Sequence, residues 1–244
     1  MFYDLICDVG SMRITASIVA ANLLKLGEEI ERLEAAGVDG IHIDVADGHF
    51  VQDLGIGPHM VAAIRKATNL PLYVHLMVEE PERFIDCYLD SGADSIIVHI
   101  ESCRHLLRTI RRIKHLGKKA GVAVLPATIL DLLKDSIKEL DQLLLISNND
   151  SSFLDWQDRE FYVGTLNKLR EASDLKEKFN KKLEVMVDGG ITRDLIAKIV
   201  IAGADTLVMG SAFFSEKNLK DAIHEFRRLG LPKTSEKSLR SRSF

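Results

Sequence analysis

Apolar residues recur along this chain in short runs at two alternating periods. Runs of β-branched and aliphatic residues, each about six long, predict strands near 13–18, 39–45, 71–76, 94–99, 119–124, 141–146, 183–188 and 205–210. Between them lie amphipathic stretches of helical period, near 23–36, 58–67, 80–91, 103–116, 129–138, 160–174, 193–202 and 216–228. The first of these is typical: Leu26, Ile30, Leu33 and Ala36 share one face. Pro81 falls early in the third, where a missing N–H costs least.

A short phrase punctuates this alternation. Ala36-Gly37-Val38-Asp39, Ser91-Gly92-Ala93-Asp94 and Ala202-Gly203-Ala204-Asp205 each close a helical stretch and open an apolar strand. The glycine suits a helix C-terminus, where a left-handed residue is wanted. The repeat argues for βα units around a parallel sheet. Eight such units predict an α/β protein of the (β/α)8 TIM-barrel type, with one domain over residues 12–230. A doubly wound open sheet is the rival. It usually carries a glycine-rich turn after its first strand, and Ser17-Ile18-Val19-Ala20-Ala21-Asn22 has none. Residues 1–11 read as an N-terminal extension and a poor signal peptide, with Met12 as an alternative start. Residues 231–244, basic and serine-bearing, read as a disordered tail.

Composition narrows the function classes. The chain has 244 residues, 46% hydrophobic and 28% charged, the balance of a soluble globular protein. A net charge of −4 without an evident basic face gives no reason to expect nucleic acid. No apolar run approaches the roughly 18 residues of a membrane span. Three cysteines with no CxxC spacing fit a reducing compartment, and a cytoplasmic location is expected.

The candidate chemistry sits at predicted strand ends. His42 and Asp44 close the second strand, His75 the third and Asp188 the seventh. His42 and Asp44 are two apart and so share a face of their strand. Taken singly, a histidine on an apolar strand is more often a packed core residue. Four such residues at strand ends argue instead for a divalent-ion site with two carboxylates able to move protons. His99 ends the fourth strand and fits either a substrate contact or a packed polar role. Asp47 and His49 suit turn-forming roles in the next loop. Gly189-Gly190 after strand seven and Gly210-Ser211 after strand eight lie where barrels grip phosphate with backbone N–H groups, although turn geometry alone also explains them.

With these phrases in place, the chain resembles the ribulose-phosphate 3-epimerase family from Met12 to about Ser215. The matching phrases are Ser17-Ile18, His42-Ile43-Asp44-Val45-Ala46-Asp47-Gly48-His49-Phe50-Val51 and Ile56-Gly57-Pro58. They continue through His75-Leu76-Met77-Val78, Pro126-Ala127-Thr128 and Asp188-Gly189-Gly190-Ile191. The resemblance implies a metal-dependent barrel that inverts C3 of a phosphorylated ketopentose. It implies His42, Asp44, His75 and Asp188 as ligands of one divalent ion, zinc or iron first, with manganese and cobalt as further fits. It implies Asp44 and Asp188 as the acid/base pair. Ser17, His99, Gly189, Gly190, Gly210 and Ser211 would face a small sugar phosphate, in a homo-oligomer.

The default pair is ribulose 5-phosphate and xylulose 5-phosphate. Another ketose or ketose phosphate such as allulose 6-phosphate, and a sugar-phosphate binder without turnover, are the alternatives. They arise because the chain departs from the family pattern at Ala16, Ala46 and Leu125, and above all after strand six. There a glycine- and proline-rich family loop is replaced by residues 147–161, which hold neither residue type and carry four acidic groups. This segment is expected to act as a lid that sets substrate choice.

Overall fold

A computed structural model describes residues 12–148 and 160–231. Eight parallel strands close into a barrel in sequence order. They are β1 (Arg13–Ser17), β2 (Gly40–Ala46), β3 (Leu72–Met77), β4 (Ser95–His99), β5 (Lys119–Val124), β6 (Gln142–Ile146), β7 (Glu184–Asp188) and β8 (Thr206–Met209). The helices are α1 (Leu26–Ala36), α2 (Pro58–Ala67), α3 (Ile85–Asp90), α4 (Leu106–His115), α5 (Thr165–Phe179), α6 (Arg193–Ile201), α7 (Ser211–Phe214) and α8 (Leu219–Gly230). β1 pairs with both β2 and β8, which excludes the open sheet. The expected extension over 1–11 and tail over 231–244 fall, apart from Leu231, outside the described residues.

Strand alternation sorts the side chains into two apolar layers. Outward residues such as Ile41, Ile43 and Val45 of β2 pack against the helices in the larger cluster. Inward residues Tyr73, Ile97, Ala123, Leu144, Ile146, Met186 and Val208 fill the barrel itself. Below them a polar layer closes the N-terminal end. Glu184 on β7 accepts hydrogen bonds from Gln142 at 3.0 Å and Thr206 at 2.5 Å, and meets Arg13 at 2.9 Å. Ser95 donates to Gln142 in the same layer. Its members are spent on one another, whereas the candidate ligands stand toward the other mouth.

The repeated aspartates have a specific structural use. Asp39, Asp94 and Asp205 stand before β2, β4 and β8, and Asp141 stands before β6. Each exchanges two hydrogen bonds with one residue of the preceding strand. Asp205 donates its N–H to the Val185 carbonyl at 2.8 Å and accepts the Val185 N–H on its carboxylate at 2.7 Å. The other three do the same with Ile14, Leu72 and Ala120. Each carboxylate also meets a cation: Arg227, Arg65, Lys114 and Lys176 respectively for Asp39, Asp94, Asp141 and Asp205. These four stitches tie the strands in pairs and fix the register that puts the strand ends in one mouth. The glycines two residues earlier take positive φ, +86° at Gly37, +101° at Gly92 and +110° at Gly203, as helix exits require.

Three predicted helices differ. The stretch expected over 129–138 forms only 3-10 turns at Leu130–Leu133 and Ile137–Glu139. The Ser136 hydroxyl takes the Leu133 carbonyl at 3.1 Å, and Asn180 donates to the carbonyls of Ile137 and Leu140. Those acceptors are thereby withdrawn from a continuing helical ladder. α5 begins at Thr165 rather than at 160, because the incoming chain first pairs Tyr162 N–H with the Ser147 carbonyl at 2.6 Å. The stretch expected over 216–228 forms α8 from Leu219, capped by Asn218, whose side chain accepts the Asp221 N–H at 3.3 Å, and the short α7, which the pattern does not predict, precedes it directly after β8.

Candidate metal and acid/base centre

Register brings the four candidate ligands together. Asp44 lies opposite His75 across the β2–β3 ladder, and His42 lies opposite Ser17 across β1–β2. Asp188 enters from β7, with β8 and β1 between it and β2. One donor atom from each of His42, Asp44, His75 and Asp188 falls within 4.8 Å of all the others. Both imidazoles approach the same carboxylate oxygen: His42 Nε2 is 3.1 Å and His75 Nδ1 is 3.0 Å from Asp44 Oδ1. His42 Nε2 is also 3.9 Å from Asp188 Oδ2. The other Asp44 oxygen accepts the Ser17 hydroxyl at 2.9 Å. His42 and His75 are fully buried and Asp44 is 6% exposed, whereas the Asp188 side chain is 23% exposed at the mouth.

Burial and close charges act against each other here. Burial pushes the Asp44 carboxyl up, but the charge and hydrogen bond of His42, with those of His75, outweigh it and hold Asp44 well below the usual carboxylate range. Burial likewise opposes a charged His42, yet Asp44 and, more weakly, Asp188 raise its pKa above the ordinary value. Burial prevails at His75, whose pKa falls to about 4 despite the Asp44 hydrogen bond. His75 is therefore neutral at pH 7 and keeps a lone pair. Converging carboxylate oxygens and imidazole nitrogens of this kind fit a divalent cation, which would relieve the crowding of two carboxylates.

Next to the quartet lies a cavity lined by Ser17, Asp44, Asp188, Gly189, Gly190, Gly210 and Ser211, among others. It thus gathers every residue expected to face substrate except His99. Gly189 and Gly190 take φ of +109° and +60°, a backbone form that side chains oppose. A Cβ on Gly189 would also stand 2.9 Å from Asn148 Cγ. The Ser147 hydroxyl holds this turn by donating to the Asp188 carbonyl at 2.7 Å and to that of Gly189.

His99 is placed differently from a free substrate contact. It is 1% exposed, and both its ring nitrogens are engaged within the protein. Nε2 lies 2.9 Å from His75 Nε2, and Nδ1 lies 3.0 Å from Glu101 Oε2. Glu101 was not legible as a site residue, although His99-Ile100-Glu101 repeats the spacing of His42-Ile43-Asp44. Burial would raise the Glu101 carboxyl, but hydrogen bonds from His99, Thr128 and the Leu125 N–H bring it down to about 2. Asp47 accepts the N–H groups of His49, Phe50 and Glu79, binding its own turn to the end of β3. Most of the expected lid, residues 149–159, lies outside the described residues.

The closed barrel with its polar centre at the C-terminal mouth defines a (β/α)8-barrel enzyme. Solved structures agree on that architecture. A 3-keto-L-gulonate-6-phosphate decarboxylase from Vibrio cholerae O1 biovar El Tor matches with a TM-score of 0.66 at 16% identity, covering 91% of this chain and 100% of the other. A 3-hexulose-6-phosphate synthase from Salmonella typhimurium matches at 0.63 and 18%, covering 89% and 98%. At such identities the likeness shows fold alone, and sequence carries the rest.

The model of the ribulose-phosphate 3 epimerase family matches residues 13–214. A ribulose-phosphate 3-epimerase of Bacillus subtilis (strain 168) is 42% identical over 217 residues, spanning 88% of this chain and 98% of that one. A chloroplastic ribulose-5-phosphate-3-epimerase of Arabidopsis thaliana is 40% identical over 219 residues, spanning 86% and 74%. The chain belongs to the ribulose-phosphate 3-epimerase family and is an isomerase of the epimerase class. Among the described residues no helix is long and apolar enough to cross a membrane.

Proposed function

We propose that this protein is a metal-dependent 3-epimerase of a ketose phosphate, with ribulose 5-phosphate and xylulose 5-phosphate as its substrate pair. One observation carries the reading: Asp44 and Asp188 reach the same cavity from different strands, each beside the imidazole pair. Inverting a carbon requires a base on one face and an acid on the other, which a single carboxylate cannot supply.

Asp44 accepts the Ser17 hydroxyl and stands beside His42, so its carboxylate has a defined direction. Asp188, at the rim, faces the sugar from the β7 side. One aspartate removes the C3 proton while the other, having entered protonated, delivers a proton to the opposite face; the roles exchange in the reverse reaction. His42, Asp44, His75 and Asp188 hold the ion, zinc or iron by their donor types, with manganese or cobalt as further fits. When bound, it supplies positive charge beside the carbonyl oxygen where negative charge develops. The phosphate is held by backbone N–H groups of the Gly189-Gly190 and Gly210-Ser211 turns, which line the same cavity.

A second substrate reading has its own support. The four acidic residues and absent glycines of 147–161 favour a different ketose, such as allulose 6-phosphate. A panel of ketose phosphates and free ketoses, assayed for C3 deuterium uptake from heavy water, decides between them. Fastest exchange on ribulose 5-phosphate supports the first reading; no exchange on any member refutes epimerisation.

A further inference from the structure

We propose that Glu101 and His99 are positioning residues that fix which nitrogen of His75 carries the proton, and so present a His75 lone pair to the ion. The inference rests on the metal reading above. Its basis is a continuous line of four groups. Asp44 Oδ1 is 3.0 Å from His75 Nδ1, His75 Nε2 is 2.9 Å from His99 Nε2, and His99 Nδ1 is 3.0 Å from Glu101 Oε2. Each contact needs one hydrogen, and the two carboxylates at the ends can only accept. Two neutral imidazoles bring two hydrogens to three contacts, so one contact must do without.

Glu101 decides which. Its carboxylate requires His99 to carry its hydrogen on Nδ1. His99 Nε2 is then a lone pair, and His75 must donate to it from Nε2. That leaves His75 Nδ1 without a hydrogen, facing Asp44 Oδ1 across 3.0 Å. Two acceptors at that distance repel unless a cation lies beside both. With the opposite polarity, His75 would donate to Asp44 and no cation would be wanted. The Glu101 end therefore turns the line toward metal binding, as carboxylates behind metal-bound histidines do elsewhere.

The anchor itself is fixed. Glu101 Oε1 accepts the Leu125 N–H at 2.8 Å, so the carboxylate cannot turn away. Lys168 on α5 pins the same loop by donating to the carbonyls of Leu125, Pro126 and Thr128 at 2.9, 2.7 and 2.6 Å. The Phe50 ring packs on His99 with centroids 4.7 Å apart and restrains the imidazole plane. Neither nitrogen of His99 is left for the sugar, in keeping with a role exerted through His75.

This makes an unusual forecast for an isosteric change. In Glu101→Gln the Leu125 N–H still needs an oxygen, which turns the new amide N–H2 toward His99 Nδ1. The amide then donates where the carboxylate accepted, and the line reverses. Glu101→Ala merely removes the anchor. Zinc affinity of the metal-stripped full chain, measured by competition with a chromogenic chelator, should fall about 10- to 100-fold in Glu101→Gln. The loss in Glu101→Ala should be no greater. A purely structural role predicts the reverse order, with Gln near wild type, and that result would overturn the proposal.

Long-range 1H–15N spectra of the zinc-loaded wild-type protein give an independent reading that needs no variant. His99 protonated on Nδ1 and His75 on Nε2 is expected; His99 protonated on Nε2 would refute the relay. Zinc uptake by wild type with unchanged affinity in Glu101→Gln removes this inference alone. A wild-type protein that takes up no zinc, iron, manganese or cobalt removes it together with the metal reading.

Discussion

Gly55 offers a way to move Asp44 without touching any ligand. It lies against the backbone at the end of β2, donating its N–H to the Ala46 carbonyl at 2.9 Å. A Cβ placed on it would stand 2.4 Å from Ala46 N, 3.0 Å from the Asp44 carbonyl oxygen and 3.1 Å from Val45 C. Ordinary contacts begin near 3.4 Å, and all three neighbours are main chain, which cannot swing aside as a side-chain tip can. Gly55→Ala must therefore push the loop and the strand end apart by about 1 Å. A displacement of that size at a reacting group costs roughly 100-fold in rate. The accompanying overpacking should cost about 1–3 kcal/mol of stability. The assay is kcat for ribulose 5-phosphate epimerisation at saturating metal, with thermal unfolding in parallel. A folded Gly55→Ala enzyme with kcat within twofold of wild type would show that the position of the β2 end does not govern the chemistry.

Further outcomes follow from the same geometry. Asp205→Ala removes the acceptor for Val185 N–H and for Lys176, so the midpoint should fall by about 4–8 °C for a loss near 2 kcal/mol, with KM unchanged; a wild-type midpoint would remove the stitch from the account. In the metal-free protein, His75 binds its proton more weakly folded (about 4) than unfolded (6.5). Its contribution is complete above pH 6.5 and is lost as pH falls towards 4, by roughly 3 kcal/mol. His42, raised, acts only above pH 6.5 and in the opposite sense, so a urea midpoint flat from pH 6.5 to 4 would contradict the His75 assignment. Ser211→Asp, placing negative charge beside the proposed phosphate turns, should raise KM for ribulose 5-phosphate tenfold or more; an unchanged KM would place the phosphate elsewhere.

What could be read from sequence follows the physical range of each signal. Strand alternation is local, so it assigns His42, Asp44, His75 and Asp188 to the right strands, and the barrel follows from the alternation of periods; only Asp188 is the last residue of its strand, since β2 and β3 continue past their ligands to Ala46 and Met77. The Ala-Gly-Xaa-Asp phrase showed where helices stop. It did not show that the aspartate bonds back to the preceding strand, and Asp141, lacking the glycine, escaped notice. The false helix over 129–138 has amphipathic spacing, but its carbonyls are claimed by Ser136 and by Asn180, the latter distant in sequence. Glu101 joins the centre only through His99, a neighbour of His75 in space rather than in the chain.

The central claim is that Asp44 and Asp188 each move a proton. It is tested most directly by single-turnover epimerisation of C3-deuterated ribulose 5-phosphate in ordinary water, using metal-loaded Asp44→Asn and Asp188→Asn enzymes alongside wild type. Wild type should form xylulose 5-phosphate with solvent hydrogen at C3. Each variant shown by elemental analysis to retain its metal should form none at a measurable rate. Either variant, metal in place, forming product at the wild-type rate would contradict the two-carboxylate account.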